Sequence, residues 1–352
     1  MEIALKCLPF GSLPYEDLQI GAKMMLKVYE QSPYLACFPN IDPDDNLVNR
    51  TLKNIPGIKI KNEQILYKGN SDKTKQELLK IDSIFLNPTP EALEEYAIEA
   101  PFVEKFCQVL NRAKPKEAII NILGPVSISQ MISTKDEPPS LSDKFFRKFL
   151  IQTVCIKALW AIAKIREYSP DTMPIIVLEE PLLHKIGDIK RSNEDISNDT
   201  IISLYSKIIQ KLKEYRSAVA IQSFSKCDWT IPIEAGVDII SFDAYNNPNN
   251  LNIIAEKVNN FLIGGGHINW AIIPVTTEER VKKLKIDDIV LKFTKTVEEL
   301  VASGVNERFA FSRAIVSVQG DTSHLPIIFA EKVLLLSAQL SKKIPNKMKR
   351  LL

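Results

Sequence analysis

The chain is expected to fold as an α/β protein, a TIM-type (β/α)₈ barrel with a β-hairpin and a helical insertion after its second strand. Two features predict this. Short, nearly unbroken apolar runs alternate with longer stretches of helical period, the signature of parallel strands covered by helices. With a short run at Leu35–Phe38 included, the strand-like runs come to eight. A right-handed βα repeat of that number closes into a barrel, whereas a doubly wound sheet more often has about five or six strands.

Each element has its own reason. Ile3–Leu8 is strand-like, and Glu16–Tyr29 carries apolar residues at helical spacing. Ile58–Tyr67 alternates apolar and polar residues, the period-2 pattern of a hairpin. Asp72–Arg112 is then a helical excursion before the third strand, Glu117–Leu123, which stops at Gly124-Pro125. Phe145–Ile165 is a long apolar helix, and Met173–Leu178 is a strand ending in Glu179-Glu180-Pro181. A helix at Ile201–Leu212 follows, then strands at Ala218–Phe224 and Val237–Phe242. Next come a helix at Asn252–Leu262 and a strand at Ile268–Ile273, halted by Pro274. A helix at Ile286–Ala302, a strand region at Phe309–Val318 and a helix at Leu325–Leu340 complete the series. No linker or low-complexity stretch divides residues 1–352, so a single domain is expected.

Composition narrows the function. With 45 Lys+Arg against 43 Asp+Glu the net charge is +2, which removes any global electrostatic case for nucleic acid or an anionic membrane. The content of 45% hydrophobic and 25% charged residues is that of an ordinary globular protein and excludes collagen, coiled coil and disorder. The five cysteines (Cys7, Cys37, Cys107, Cys155, Cys227) are scattered, odd in number and without a C-x-x-C, so neither a disulfide framework nor a zinc module is indicated. There is no apolar run of about 18 residues and no basic leader before an apolar stretch, and a cytoplasmic location is expected. Glycine is scarce, and the Gly264-Gly265-Gly266 cluster precedes a strand-like run instead of following one, so no phosphate-binding loop is expected.

In such a barrel the functional residues lie at the C-terminal ends of the strands. Asp243, directly after an apolar strand, is the strongest candidate for an inward carboxylate and the expected catalytic residue; capping a helix near Asn249 is its alternative role. Strand alternation sends Glu179 and Glu180 to opposite faces, so at most one reaches the mouth, and Glu180 suits bonding to loop amides. Trp229 and Trp270 either wall a pocket or pack against a neighbouring loop. Of the three histidines only His324, near the last strand end, is of interest. The basic tail Lys342–Arg350 reads as a solvated end.

Five segments carry a resemblance through their order: Gly11-Ser12-Leu13-Pro14, Gly124-Pro125-Val126-Ser127, Ile175 to Pro181, Ile239 to Tyr245, and Gly265 to Pro274. Over nearly the whole chain they resemble the catalytic barrel of cobalamin-independent methionine synthase and its short single-barrel relatives. That superfamily also includes uroporphyrinogen decarboxylase and corrinoid-dependent methyltransferases. The resemblance implies a methionine-synthase-like methyltransferase, in methionine biosynthesis, acting on a small thiol or amino-acid acceptor.

Methionine synthases of that family hold zinc with a His-x-Cys pair after the fifth strand, a Glu after the sixth and a Cys after the eighth. Such a site keeps the homocysteine thiol as thiolate. Anchored on Asp228-Trp229, the His and Cys positions fall here on Gln222 and Phe224, the Glu position on Asp243, and the late Cys near Val318-Gln319-Gly320-Asp321. Three of the four ligands are replaced, so zinc is not expected and no metal ligand is assigned. A rearranged site would have to draw on Cys227 and His324.

What the resemblance retains is the part that holds an amino-acid-like substrate. The Phe10-Gly11-Ser12 backbone with the Ser12 hydroxyl resembles the cradle for a ligand carboxylate. Glu179 takes the place of the family's Asp on the ligand amine, a sensible role because a buried ammonium needs a fixed negative partner. The expected substrate-binding set is Gly11, Ser12, Glu179, Gln222 and Trp270. A folate or a corrinoid carrier protein is the implied methyl donor, and a single barrel favours the protein-borne one. A competing reading on the same residues is a barrel that has lost its chemistry and binds a small molecule or partner protein. A metal-free decarboxylase would need arginines near the mouth, where Arg313 is the lone candidate.

Overall fold

The computed structural model describes residues 3–61, 64–68, 72–133, 140–192 and 195–348. Their strands are β1 (Ile58–Lys61), β2 (Gln64–Tyr67), β3 (Glu117–Leu123), β4 (Ile132–Ser133), β5 (Met173–Glu179), β6 (Ala218–Ser223), β7 (Ile239–Phe242), β8 (His267–Ile273) and β9 (Ala314–Val318). Six of them form one curled parallel sheet in the order β3-β5-β6-β7-β8-β9. Helices cover it: α1 (Leu18–Tyr29), α2 (Leu47–Leu52), α3 (Asp72–Leu86), α4 (Pro90–Glu94), α5 (Val103–Ala113), α6 (Pro125–Met131), α7 (Lys144–Tyr168) and α8 (Ile186–Ser192) come before β6, with α9 (Asn198–Lys213). After β6 come α10 (Thr230–Glu234), α11 (Ala255–Ile263), α12 (Glu278–Lys283), α13 (Ile286–Ala302), α14 (Glu307–Ser312) and α15 (Ile327–Met348).

The sheet is a half-barrel, and the closed ring of eight strands expected from the sequence is not formed. The two expected N-terminal strands are the difference. Ile3–Leu8 meets β9 through the single bridge Cys7 to Val316, and Leu35–Phe38 lies after the bridge Tyr34 to Ile119 of β3. A third bridge, Ser12 to Cys37, joins these segments to each other. The backbone amide of Leu8 donates to Val316 O at 3.0 Å, Leu35 N to Ile119 O at 3.1 Å and Leu13 N to Cys37 O at 2.8 Å. Prolines explain why the pairing goes no further. Pro9, Pro14, Pro33 and Pro39 bracket the two segments and remove the donors a longer ladder needs. Irregular chain thus covers both edges of the sheet, which would otherwise offer unpaired backbone.

The hairpin expected at Ile58–Tyr67 forms as antiparallel β1 and β2, and β2 also pairs in parallel with β4, a contact no local pattern announces. The region expected as strand from Phe309 divides: Glu307–Ser312 is the short helix α14, capped by the Asn306 side chain on Phe309 N, and only Ala314–Val318 is strand. Helix α7 is apolar on nearly all faces because it lies between β3 and a layer of α3, α4, α5 and α9. Its buried Lys157 donates to Lys53 O at 2.8 Å and Ala97 O at 3.2 Å, fastening the ends of two insertion segments. No helix among the described residues is long and apolar enough to cross a membrane.

Candidate functional site

The strands' C-terminal ends define a mouth, and strand alternation decides what faces it. One register line runs across the sheet: Leu123, Glu179, Gln222, Ser241 and Asn269 sit side by side on five neighbouring strands. The apolar alternates face outward to the helices, and the polar residues of this line face inward.

The inward residues form a hydrogen-bonded ladder. Asn121 Nδ2 donates to Glu179 Oε1 at 2.6 Å. Ser241 Oγ donates to Gln222 Oε1 at 3.0 Å, and Asn269 Nδ2 donates to Ser241 Oγ at 2.7 Å and to Ser317 Oγ at 2.9 Å. Asn121 is the single partly exposed residue of an otherwise buried β3, so the inner face is open to solvent at that level. Burial pushes the Glu179 carboxyl up to about 7; the negative charge of Asp321 adds to this, while the Asn121 hydrogen bond and the Arg50 charge oppose it. A carboxyl so placed changes charge in the neutral range and is suited both to holding a cation and to exchanging a proton.

Glu180 points the other way, as alternation requires. Wholly buried, it accepts from Val126 N at 3.0 Å, Ser127 N at 2.7 Å and the Tyr205 hydroxyl at 2.6 Å. It therefore supplies the N-terminal cap that α6 lacks from its own side chains. A Cβ on Gly124 would come within 2.3 Å of Glu180 Oε1, which is why glycine stands there. The Gly124-Pro125-Val126-Ser127 and Glu179-Glu180 segments are thus structural partners.

The loops at the mouth bring further groups. Asp243 is buried and accepts from Tyr245 N at 3.1 Å, Asn246 N at 2.9 Å, Asn246 Nδ2 at 2.7 Å and Gln319 Nε2 at 3.1 Å, ordering its own loop. Asp321 accepts from Ser12 N at 2.8 Å, so the turn at Gly11 and Ser12 is tied to the loop after β9. Phe10 and Phe224 meet edge to face with centroids 5.0 Å apart. Of the expected set, Glu179 and Gln222 lie on the inner face, and Gly11, Ser12 and Asp243 lie in the rim loops. Trp270 does not join them. It is outward-facing, neighbour to inward Asn269, and packs between Phe242 and Phe293 of α13 with centroids 5.3 and 6.0 Å away. Trp229 packs on the same side against Phe242, and Arg313 precedes β9, at the end of the sheet away from the mouth.

The zinc implied by the resemblance does not fit these residues. Gln222 is bonded to Ser241, the Phe224 ring lies on Phe10, and Val318 is core. Asp243 and Asp321 remain, and both are engaged by loop amides. Among the described residues no three His, Cys, Asp or Glu side chains gather as a metal-binding group. Cys227 lines a separate surface cleft of about 460 Å³ with His184 and Asp228, and burial pushes its thiol up to about 12.

Sequence reasoning gave no role to Asn121, Ser241, Asn269, Gln319 and Asp321, or to the buried pair of Arg50 with Asp45. A signal for the first three existed: each is a polar residue inside a strand otherwise made of apolar ones. The pair has no such signal. Arg50 Nε lies 2.6 Å from Asp45 Oδ1, and its other nitrogens donate to Leu35 O at 2.6 Å and Ala36 O at 2.7 Å, which only tertiary structure reveals.

No protein-family model and no curated protein sequence matches the chain. Among solved structures, a methyltransferase from Methanosarcina mazei is similar at a TM-score of 0.53 and 10% identity, over 96% of this chain and 94% of that one. A B12-independent methionine synthase from Shewanella sp. W3-18-1, in complex with selenomethionine, aligns at a TM-score of 0.48 and 13% identity, over 73% of this chain and 72% of that one. The likeness to the first is one of fold, an α/β partial barrel.

Proposed function

We propose that this chain is a methyltransferase-like barrel that seats a small amine-bearing acceptor, a thiol-amine or amino-acid-like molecule, on Glu179 at the mouth of its sheet. The observation that carries the reading is Glu179 itself. It is an inward carboxyl at a strand end, hydrogen-bonded by Asn121 and titrating near neutrality. Methyl transfer to a thiol or amine requires the acceptor to lose a proton as the new bond to carbon forms, while the donor keeps the bonding pair. Glu179 in its ionised form holds an ammonium group and accepts such a proton. Gln222, with the Ser241 and Asn269 that continue its ladder, orients the acceptor on the inner face. Asp243 acts as a positioning residue by holding the rim loop at 243–246. The methyl donor would be a folate or a corrinoid carrier protein, the latter chemically equivalent to methylcobalamin.

The test is incubation with methyltetrahydrofolate or methylcobalamin and homocysteine or cysteamine, with methylated product read by mass spectrometry. Product from wild type, reduced at least tenfold in Glu179→Gln, supports the reading; equal product from the variant contradicts it. A second reading, a binding barrel without chemistry, is favoured by Phe224 packed on Phe10 where a metal ligand would stand. It predicts measurable binding of the same acceptors with no product from either donor.

A further inference from the structure

We propose that the mouth selects a cationic amine that carries no carboxylate or phosphate, because the protein's own carboxylates already occupy the amides that would receive an anionic group. This rests on the reading above that Glu179 holds an amine, and it narrows the ligand further.

Anion recognition needs donors, and the rim-loop amides of Ser12, Ser323, Tyr245 and Asn246 are engaged. Asp321 Oδ2 takes the Ser12 amide at 2.8 Å, while Oδ1 takes the Ser323 amide at 2.7 Å together with the Ser323 hydroxyl. The fit of the two loops is close. Gly11 has φ +80°, and a Cβ on it would stand 3.1 Å from Asp321 Cα and 3.3 Å from Oδ2. Thr322 Oγ1 donates to Ser12 O at 2.7 Å and clamps the contact from the other side. Asp243 takes the Tyr245 and Asn246 amides, and Glu180 those of Val126 and Ser127. Asp45 takes the Phe38 amide and two nitrogens of Arg50, which also donates to Leu35 O and Ala36 O. A ligand carboxylate entering here would meet the like charges of Glu179, Asp321 and Asp243, while Arg280 and Lys292, the cations beside the Asp243 loop, lie over the Tyr245 ring.

Acceptors, by contrast, are left over. Asn269 is wholly buried, and its Oδ1 has no hydrogen-bond partner among the described residues. Its orientation is set by the ladder: Ser241 gives its hydrogen to Gln222 and Ser317 gives its own to Val318 O, so the Asn269 amide nitrogen must be the donor to both hydroxyls. The buried Oδ1 of Asn121 likewise has no partner, its Nδ2 being on Glu179. Two unmatched carbonyl oxygens and a carboxylate on one inner face complement a group rich in N–H donors and without acceptors. A primary ammonium is such a group.

The experiment compares two ligands that differ only by a carboxylate, methionine and 3-(methylthio)propylamine, titrated calorimetrically into the intact chain at pH 8. Wild type is expected to bind the amine at least tenfold tighter than methionine. Glu179→Gln is expected to weaken the amine at least tenfold, and Asp321→Ala, which uncovers the Ser12 amide, to raise the affinity for methionine. Asp321→Asn serves as a second variant that preserves side-chain shape, with thermal unfolding as the check on folding. Methionine binding as tightly as the amine, with both weakened by Glu179→Gln, overturns this inference and leaves the amine site standing. Heat from neither ligand overturns both.

Discussion

The Asn121 side-chain amide lies 2.6 Å from Glu179 Oε1, so two polar groups from adjacent strands are joined where the rest of β3 and β5 is almost wholly apolar. Such a pair within a sheet makes sense only on a face open to a ligand or to water.

Glu179 gives the first expected outcome. The charged groups acting on it are Asp321, which raises its proton affinity, and Arg50, which lowers it, with burial the largest influence and its pKa near 7. A cationic ligand binds the ionised form, so its affinity should rise about tenfold per pH unit below 7 and level off above. Stability runs the opposite way. Because the folded-state pKa lies above its ordinary value of 4.5, this group favours the folded state fully below that value and the contribution disappears as pH rises through 7. Glu179→Gln should therefore gain stability relative to wild type between pH 5 and 8, on the order of 1 kcal/mol after allowance for partial exposure, measurable by urea unfolding.

Glu180, one residue on, should behave as a structural group. Alanine in its place leaves the Val126 and Ser127 amides and the Tyr205 hydroxyl without their acceptor, a loss of about 3 kcal/mol in urea unfolding. Gly124→Ala should cost about 1–3 kcal/mol by crowding the same carboxylate. Wild-type stability in either variant would show that this cap is unimportant.

Arg50 and Asp45 fasten the segment at 35–38 that stands in for a second strand. Arg50→Met leaves Asp45 buried without its partner and should destabilise the chain by about 3–5 kcal/mol. Amide exchange should accelerate first at Leu35, whose N–H is bonded to Ile119 O across the sheet edge.

Trp270 separates core from pocket. Its truncation to alanine should cost about 3–5 kcal/mol of stability. The milder Trp270→Phe should leave ligand affinity unchanged; a tenfold change in Kd would place the indole in the site after all.

Six strands of the main sheet and the long helices were legible in the sequence because local pattern alone specifies them: Glu117–Leu123 and Met173–Leu178 are apolar runs that can only be buried. The two N-terminal segments read as strands because their apolar content is right. Their prolines, which restrict pairing to single bridges, are a backbone property that hydrophobic pattern does not register. The opposed faces of Glu179 and Glu180 followed from period-2 geometry. Trp270 could have been placed by the same rule, since Asn269 and Trp270 are adjacent and only one can face inward. What Asp321 bonds to was beyond reach. Its partner Ser12 is 309 residues away, and only the curl of the sheet brings the first and last loops together.

Carbon-13 NMR of the glutamate side-chain carboxyls, followed from pH 4 to 9 in wild type and in Glu179→Gln, tests the central claim most directly. One resonance, missing from the variant, should titrate with a midpoint near 7 and move to lower pH when 3-(methylthio)propylamine is added. A Glu179 resonance titrating near 4.5 and indifferent to the amine would contradict the account.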